Sequence, residues 1–143
     1  MTRKSLTLAV VGLAAVAVAV FVAHSVAGRS PRTEAAGGIV VPDLSMRARI
    51  GEAAYDSVCA ECHGANATGT DRGPPLVHPI YNPGHHADES FFRAARFGVR
   101  AHHWRFGDMP AQPDVDERKV AAIVVYVREL QRANGIVHQE HRM

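Results

Sequence analysis

The stretch Cys59-Ala60-Glu61-Cys62-His63 contains both cysteines of the 143-residue chain, and it decides the fold. Residues three positions apart lie on the same side of a helical turn, so both thiols can reach one ligand beside the His63 imidazole. Two cysteines allow one disulfide at most, which excludes a disulfide-rich miniprotein and a zinc module built from cysteines alone. The cysteines therefore act as one pair.

The spacing C-x-x-C-H is typical of covalent c-type haem attachment. Each thiol forms a thioether with one porphyrin vinyl group, and His63 becomes an axial ligand of the iron. A thioredoxin-like redox pair would need a surrounding βαβ pattern, which the sequence does not show. The motif thus predicts one covalent haem c as the cofactor.

Two other interpretations of the motif stay open. One is a local disulfide between Cys59 and Cys62, although a bridge that closes so short a loop contributes little stability. The other is a zinc site that combines both thiolates and His63 with a further histidine. The candidates for that histidine lie in one loop region: His78, His85, His86, His102 and His103.

A first helix is predicted to start near Leu44, after Asp43, and to run into Cys59. One stripe of this helix carries Gly51 and Tyr55, four positions apart. An adjacent stripe supplies apolar side chains: Ile50, Ala54 and Val58. The spacing therefore predicts an amphipathic helix that leads directly into the cysteine motif.

Two more helices follow, and sheet patterns have little support. A short helix is predicted from Asp88 to Phe97, with Gly98 as its stop signal. The last helix is predicted to begin with a capping pair, Asp114 and Glu117, and to end at Asn134-Gly135. Its apolar face is formed by Val120, Ile123, Val124, Val127 and Leu130. The predicted fold class is all-α, with three or more short helices and long loops that need a cofactor to fold around.

Over approximately residues 44 to 134, the sequence resembles class I cytochromes c. Gly51, Tyr55 and Cys59 have the spacing of the small residue, the aromatic residue and the first cysteine in that family's first helix. The resemblance implies that Tyr126 of the last helix packs against this stripe. It also implies a fold wrapped around one covalent haem.

Two further segments extend the resemblance to the iron ligands. Gly73-Pro74-Pro75-Leu76 is similar to the family's G-P-x-L segment, whose proline carbonyl accepts the N–H of the proximal histidine, here Pro74 and His63. Gly107-Asp108-Met109-Pro110 is similar to its M-P segment, which implies Met109 as the sixth ligand. The iron ligands implied are then His63 and Met109. A second histidine, His102 or His103, remains the alternative ligand.

The N-terminal segment predicts export from the cytoplasm. Leu6 to Ala23 is apolar apart from Thr7 and Gly12, and 18 helical residues extend about 27 Å, close to the thickness of a bilayer core. We expect residues 1–27 to form a membrane anchor with Arg3 and Lys4 on the cytoplasmic side. Cleavage as a signal after Ser25-Val26-Ala27 is the alternative and would leave a soluble periplasmic protein.

The rest of the chain divides into a flexible tether at residues 28–43, a haem domain at 44–134 and a tail at 135–143. Arg3 and Lys4 account for the whole net charge of +2, so the haem domain gives no reason to expect nucleic-acid binding.

These features predict an electron carrier rather than an enzyme, free or as a subunit of an oxidoreductase complex. The resemblance implies respiratory partners: a quinol-oxidising complex, a terminal oxidase or an exported dehydrogenase. Two alternatives stay open. One is a haem enzyme or gas or peroxide sensor with an open sixth iron position, and the other is a metal chaperone that uses the cysteines and histidines.

Overall fold

The computed structural model describes residues 33–34 and 38–140. The predicted anchor or signal at residues 1–27 lies outside these residues, as does half of the predicted tether. Within the part of the chain that is described, no helix has the length and apolar character needed to cross a membrane.

The described chain is helical, with one minimal antiparallel ribbon at its start. The ribbon pairs β1 (Thr33–Glu34) with β2 (Val40–Val41). The helices are α1 (Met46–Val58), α2 (Ala60–His63), α3 (Asp88–Phe97) and α4 (Glu117–Ala133), with 3₁₀ turns at Ala65–Ala67 and Pro79–Tyr81. The predicted helical fold class is confirmed for these residues.

Helix α1 begins later than predicted. Ser45 is its N-cap, and the Ser45 hydroxyl accepts a hydrogen bond from Ala48 N at 3.1 Å. A serine cap satisfies a backbone N–H that has no partner within the helix. The helix therefore begins two residues after the predicted start near Leu44. Asp43 instead pairs with Arg49 at 2.7 Å on the surface.

The buried face of α1 is the stripe of Gly51 and Tyr55, whereas Ile50 is 60% exposed. A Cβ on Gly51 would lie 2.0 Å from the carbonyl oxygen of Ala122, so the two helix backbones meet at this glycine. The rings of Tyr55 and Tyr126 lie 5.4 Å apart, centroid to centroid, beside this crossing. The predicted contact with Tyr126 is confirmed, and Ile50 of the adjacent apolar stripe does not pack into the core.

Helix α3 has the predicted bounds, but α4 begins at a different cap. Asp116 accepts a hydrogen bond from Lys119 N at 2.8 Å, so the predicted cap Asp114 is wrong. The end of α4 is as predicted, because Asn134 is the C-cap and Gly135 follows with a φ of 76°. The five predicted apolar positions of α4 are all buried.

At both ends of the predicted haem domain, the neighbouring residues of the chain also pack against α4. The side-chain amide of Asn134 bonds to both backbone groups of Val40, with 2.8 Å for each contact. On the other side, Ile136 is 8% exposed and its N–H donates to Gln131 O. The last residues of the predicted tether and the first residues of the predicted tail thus pack against α4.

The side chain of Arg128 connects α4 with the loop before α3 and with the first residue of α3. Its side chain is 6% exposed, and its Nε lies 2.8 Å from a carboxylate oxygen of Asp88. The guanidinium also donates to the carbonyl oxygens of Tyr81 and His86. One buried side chain therefore fixes the path of the chain from the 3₁₀ turn at Pro79–Tyr81 to the start of α3.

Candidate haem site

A cavity of about 780 Å³ lies among the four helices, within the size range of cofactor sites. Each helix contributes to its wall, as Tyr55, His63, Phe91 and Ile123 show. Four of the five predicted site residues line it: Cys59, His63, Pro74 and Met109.

His63 lies at the end of α2 and is oriented by the loop that follows. Its Nδ1 is 2.8 Å from the carbonyl oxygen of Pro74, so the ring donates there and keeps Nε2 as its acceptor nitrogen. Burial lowers the pKa of His63, and the hydrogen bond to Pro74 opposes this only in part. The imidazole is therefore held neutral, the form in which it binds iron. This is the contact that the resemblance implies for Pro74.

The two cysteines are free thiols with different surroundings. Cys59 lines the cavity, and burial raises its pKa to about 11. Cys62 is half-buried and does not line the cavity, and its sulfur lies 3.9 Å from Arg72 Nη2. A Cβ on Gly73 would lie 2.8 Å from Cys62 O, so the proline segment packs directly against the cysteine motif. The local disulfide considered above is not formed.

Met109 lies on the cavity wall through a backbone pairing with Val99. The N–H of Met109 donates to Val99 O at 2.9 Å, and the N–H of Val99 donates to Met109 O at 3.0 Å. Gly98 has a φ of 75°, and a Cβ there would lie 2.4 Å from Met109 O. The glycine that ends α3 therefore also allows the backbone of Met109 to approach closely. The sequence predicted the stop signal but not this second role.

The arrangement fits a c-type haem. A cavity of cofactor size carries a thiol, an oriented neutral imidazole and a thioether on its wall, with the second thiol one turn from the first. The imidazole and the thioether are ligands suited to haem iron, and the two thiols would form thioether bonds to the porphyrin vinyl groups.

A comparison with known protein families supports the assignment of a haem site. Residues 46–127 match the family model described as cytochrome c oxidase, cbb3-type, subunit III. The chain belongs to this family. It is a class I c-type cytochrome that carries a covalently bound haem c and serves electron transfer, as a carrier or an oxidase subunit. Neither the curated proteins nor the solved structures give a match.

Three histidines of the cytochrome lie close together on the cavity wall, apart from the cysteine motif. Ligand nitrogens of His85, His86 and His103 lie within 4.8 Å of one another, and this is the one cluster of possible metal ligands found in residues 33–34 and 38–140. It contains neither cysteine, which argues against a zinc site built on Cys59 and Cys62. All three are among the five histidines that the sequence places in one loop region, but their spacing does not predict that these three come together.

Trp104 is fixed next to this cluster. Its indole N–H donates to the Tyr81 hydroxyl at 3.0 Å, and its ring meets His78 edge-on at a centroid distance of 5.0 Å. His102 and Trp104 both line the cavity. The loop from 100 to 109 thus closes one side of the haem cavity with aromatic and imidazole rings.

Proposed function

We propose that the cytochrome carries single electrons outside the cytoplasm between respiratory redox partners, with His63 and Met109 as the axial ligands of its haem. One observation carries this proposal. His63 and Met109 line the same cavity, and each is held by its own backbone contact, to Pro74 and to Val99. Two protein ligands leave no iron position open for a substrate, so electrons enter and leave through the haem edge.

The residues of the chain set the conditions for this transfer. Pro74 holds the His63 ring in one tautomer and increases its basicity toward iron. A neutral thioether from Met109 favours ferrous iron and raises the reduction potential relative to a second imidazole. The buried core around Tyr55 and Tyr126 keeps the first helix fixed beside the motif, which limits rearrangement when the charge of the iron changes.

We further propose that residues 6–23 hold the cytochrome at the membrane, with the haem domain on the periplasmic or extracellular face. The apolar length of that segment supports this location. A terminal oxidase is the partner best supported, because the family is described as an oxidase subunit. A quinol-oxidising complex or an exported dehydrogenase would supply the electron. Recovery of the haem protein in washed membranes would support the anchor, and a mature N-terminus at Gly28 would contradict it.

The test of the axial ligands is Met109→Ala, with Met46→Leu as the matched control, because Met46 is 76% exposed on α1. We expect the wild-type and control holoproteins to show the weak near-infrared band of methionine-bound ferric haem and to resist carbon monoxide. Met109→Ala should lose the band, bind carbon monoxide when reduced and show a lower reduction potential.

Two results would contradict the proposed ligation. Carbon monoxide binding by the reduced wild type would indicate an open iron and favour the sensor or peroxidase alternative. An unchanged six-coordinate spectrum in Met109→Ala would indicate that a histidine, and not Met109, is the sixth ligand.

A further inference from the structure

Three imidazoles come together on the cavity wall, separate from the motif that attaches the haem. Ligand nitrogens of His85, His86 and His103 lie within 4.8 Å of one another, and Nε2 of His85 is 3.3 Å from Nε2 of His103. With metal–nitrogen bonds of about 2.0–2.1 Å, two tetrahedral ligands are roughly 3.3 Å apart. Two of the imidazoles thus already have the spacing of ligands on one metal ion.

Hydrogen bonds orient the third imidazole, that of His86. His86 Nδ1 lies 2.8 Å from the carbonyl oxygen of Ile80, so this nitrogen donates and Nε2 keeps its lone pair. Metal-bound histidines nearly always donate their other ring N–H to a carbonyl or carboxylate in this way. The backbone of His86 is held as well, because the buried Arg128 donates to its carbonyl oxygen. Orientation of the ring therefore does not depend on a bound ion.

We propose that His85, His86 and His103 form a second metal site beside the haem, which binds a late first-row transition-metal ion and prefers copper to zinc. Imidazole nitrogen suits these ions, whereas magnesium and calcium need oxygen ligands, which the cluster does not contain. Copper binds a given nitrogen site more tightly than zinc does.

A metal ion at this site would act on the haem. The three histidines and His63 line one cavity, and a cation there stabilises the less positive ferrous state over the ferric state. The site would therefore raise the reduction potential of the haem when it is filled. By linkage, reduction of the haem must tighten metal binding by the same factor.

The experiment uses the full-length holoprotein without an affinity tag, titrated with copper(II) or zinc(II) by calorimetry. We expect one ion per chain, tighter binding of copper, and nitrogen couplings in the copper electron paramagnetic resonance spectrum. In the double variant His85→Gln/His103→Gln, we expect at least tenfold weaker binding with an unchanged haem spectrum. His138→Gln, an exposed histidine outside the cluster, is the matched control and should bind like the wild type.

Zinc, which has no redox chemistry of its own, isolates the electrostatic effect. The haem potential of the wild type should rise on zinc addition, and zinc should bind the ferrous protein more tightly than the ferric protein. The double variant should show neither effect. No stoichiometric binding to the holoprotein, or equal binding by the double variant, would overturn the proposal. Because the readout is metal binding, it is independent of the Met109 ligation and of the redox partners.

Discussion

Tyr55 connects the packing of the helices to the iron ligand. Its side chain is fully buried, and its hydroxyl donates to Gly64 O at 2.9 Å, directly after His63. The Tyr55 ring also packs against the ring of Tyr126. A phenol in this position cannot ionise without placing a charge in the core, and this burial raises its pKa well above the ordinary value of 10.0.

This burial gives a pH dependence with a definite sign. An acid whose folded-state pKa is raised stabilises the fold below its unfolded pKa, and this contribution is lost as the pH rises above about 10. We expect the free energy of unfolding of the holoprotein, measured with urea and far-ultraviolet circular dichroism, to fall with pH in that range. In Tyr55→Phe the fall should be less steep by roughly 1.4 kcal/mol per pH unit.

At neutral pH, the free energy of unfolding of Tyr55→Phe should be about 1 kcal/mol lower than that of the wild type, because the hydrogen bond to Gly64 O is removed. A slope above pH 10 identical to that of the wild type would show that Tyr55 is not the titrating group.

At the level of elements, the crossing of α1 and α4 depends on Gly51. In an exposed helix, replacing glycine by alanine stabilises by roughly 1 kcal/mol. Here the added methyl would collide with the backbone of Ala122, which cannot move aside as a side chain can. We therefore expect Gly51→Ala to lower the free energy of unfolding by about 1–3 kcal/mol instead of raising it, as measured by urea unfolding.

The control for Gly51 is Ala53→Gly, on an exposed position of the same helix, which should cost no more than about 1 kcal/mol. A more stable Gly51→Ala protein would contradict the close crossing.

The second element contact to test is the one between α4 and the loop before α3. Arg128→Met removes the donor to the carbonyl oxygen of His86 and to the buried Oε1 of Gln131, whereas Tyr81 O keeps its hydrogen bond from Gln131 Nε2. The ion pair adds little because Asp88 is largely exposed. We expect a loss of about 1–3 kcal/mol in urea unfolding, and the exposed Arg132→Met should stay within about 0.5 kcal/mol of the wild type. Equal losses in both variants would contradict the role of Arg128.

For the whole molecule, the haem is expected to be part of the core. The cavity touches all four helices, and the chain between α2 and α3 contains only short 3₁₀ turns. Without the haem, the apolar wall would face water and the loops would lose the surface on which they pack. We expect chain produced without haem maturation to have less helix, a larger hydrodynamic radius and no cooperative thermal transition.

The matched comparison is the same chain after haem attachment, by circular dichroism and size-exclusion chromatography. An apoprotein that unfolds cooperatively at the temperature of the holoprotein would show that the helices alone supply the core.

The sequence by itself determined the cofactor, the helical class, α3 and the end of α4. These features are local, because a thiol spacing, a helical period or a stop glycine is encoded within a few neighbouring residues. Gly51 and Tyr55 indicated the crossing with Tyr126 only through the resemblance to a known family. Periodicity alone did not distinguish this stripe from the adjacent one, whose Ile50 is exposed.

Only the tertiary structure decided which stripe of α1 is buried, which residues cap the helices and how Met109 reaches the cavity. Each of these depends on a partner far along the chain, as the contacts of Gly51 with Ala122 and of Asn134 with Val40 show. The three-histidine cluster also depends on remote partners. The Nε2 atoms of His85 and His103 lie 3.3 Å apart because two loops fold around one cavity. Pairwise distances between remote residues follow from packing, which no local pattern contains.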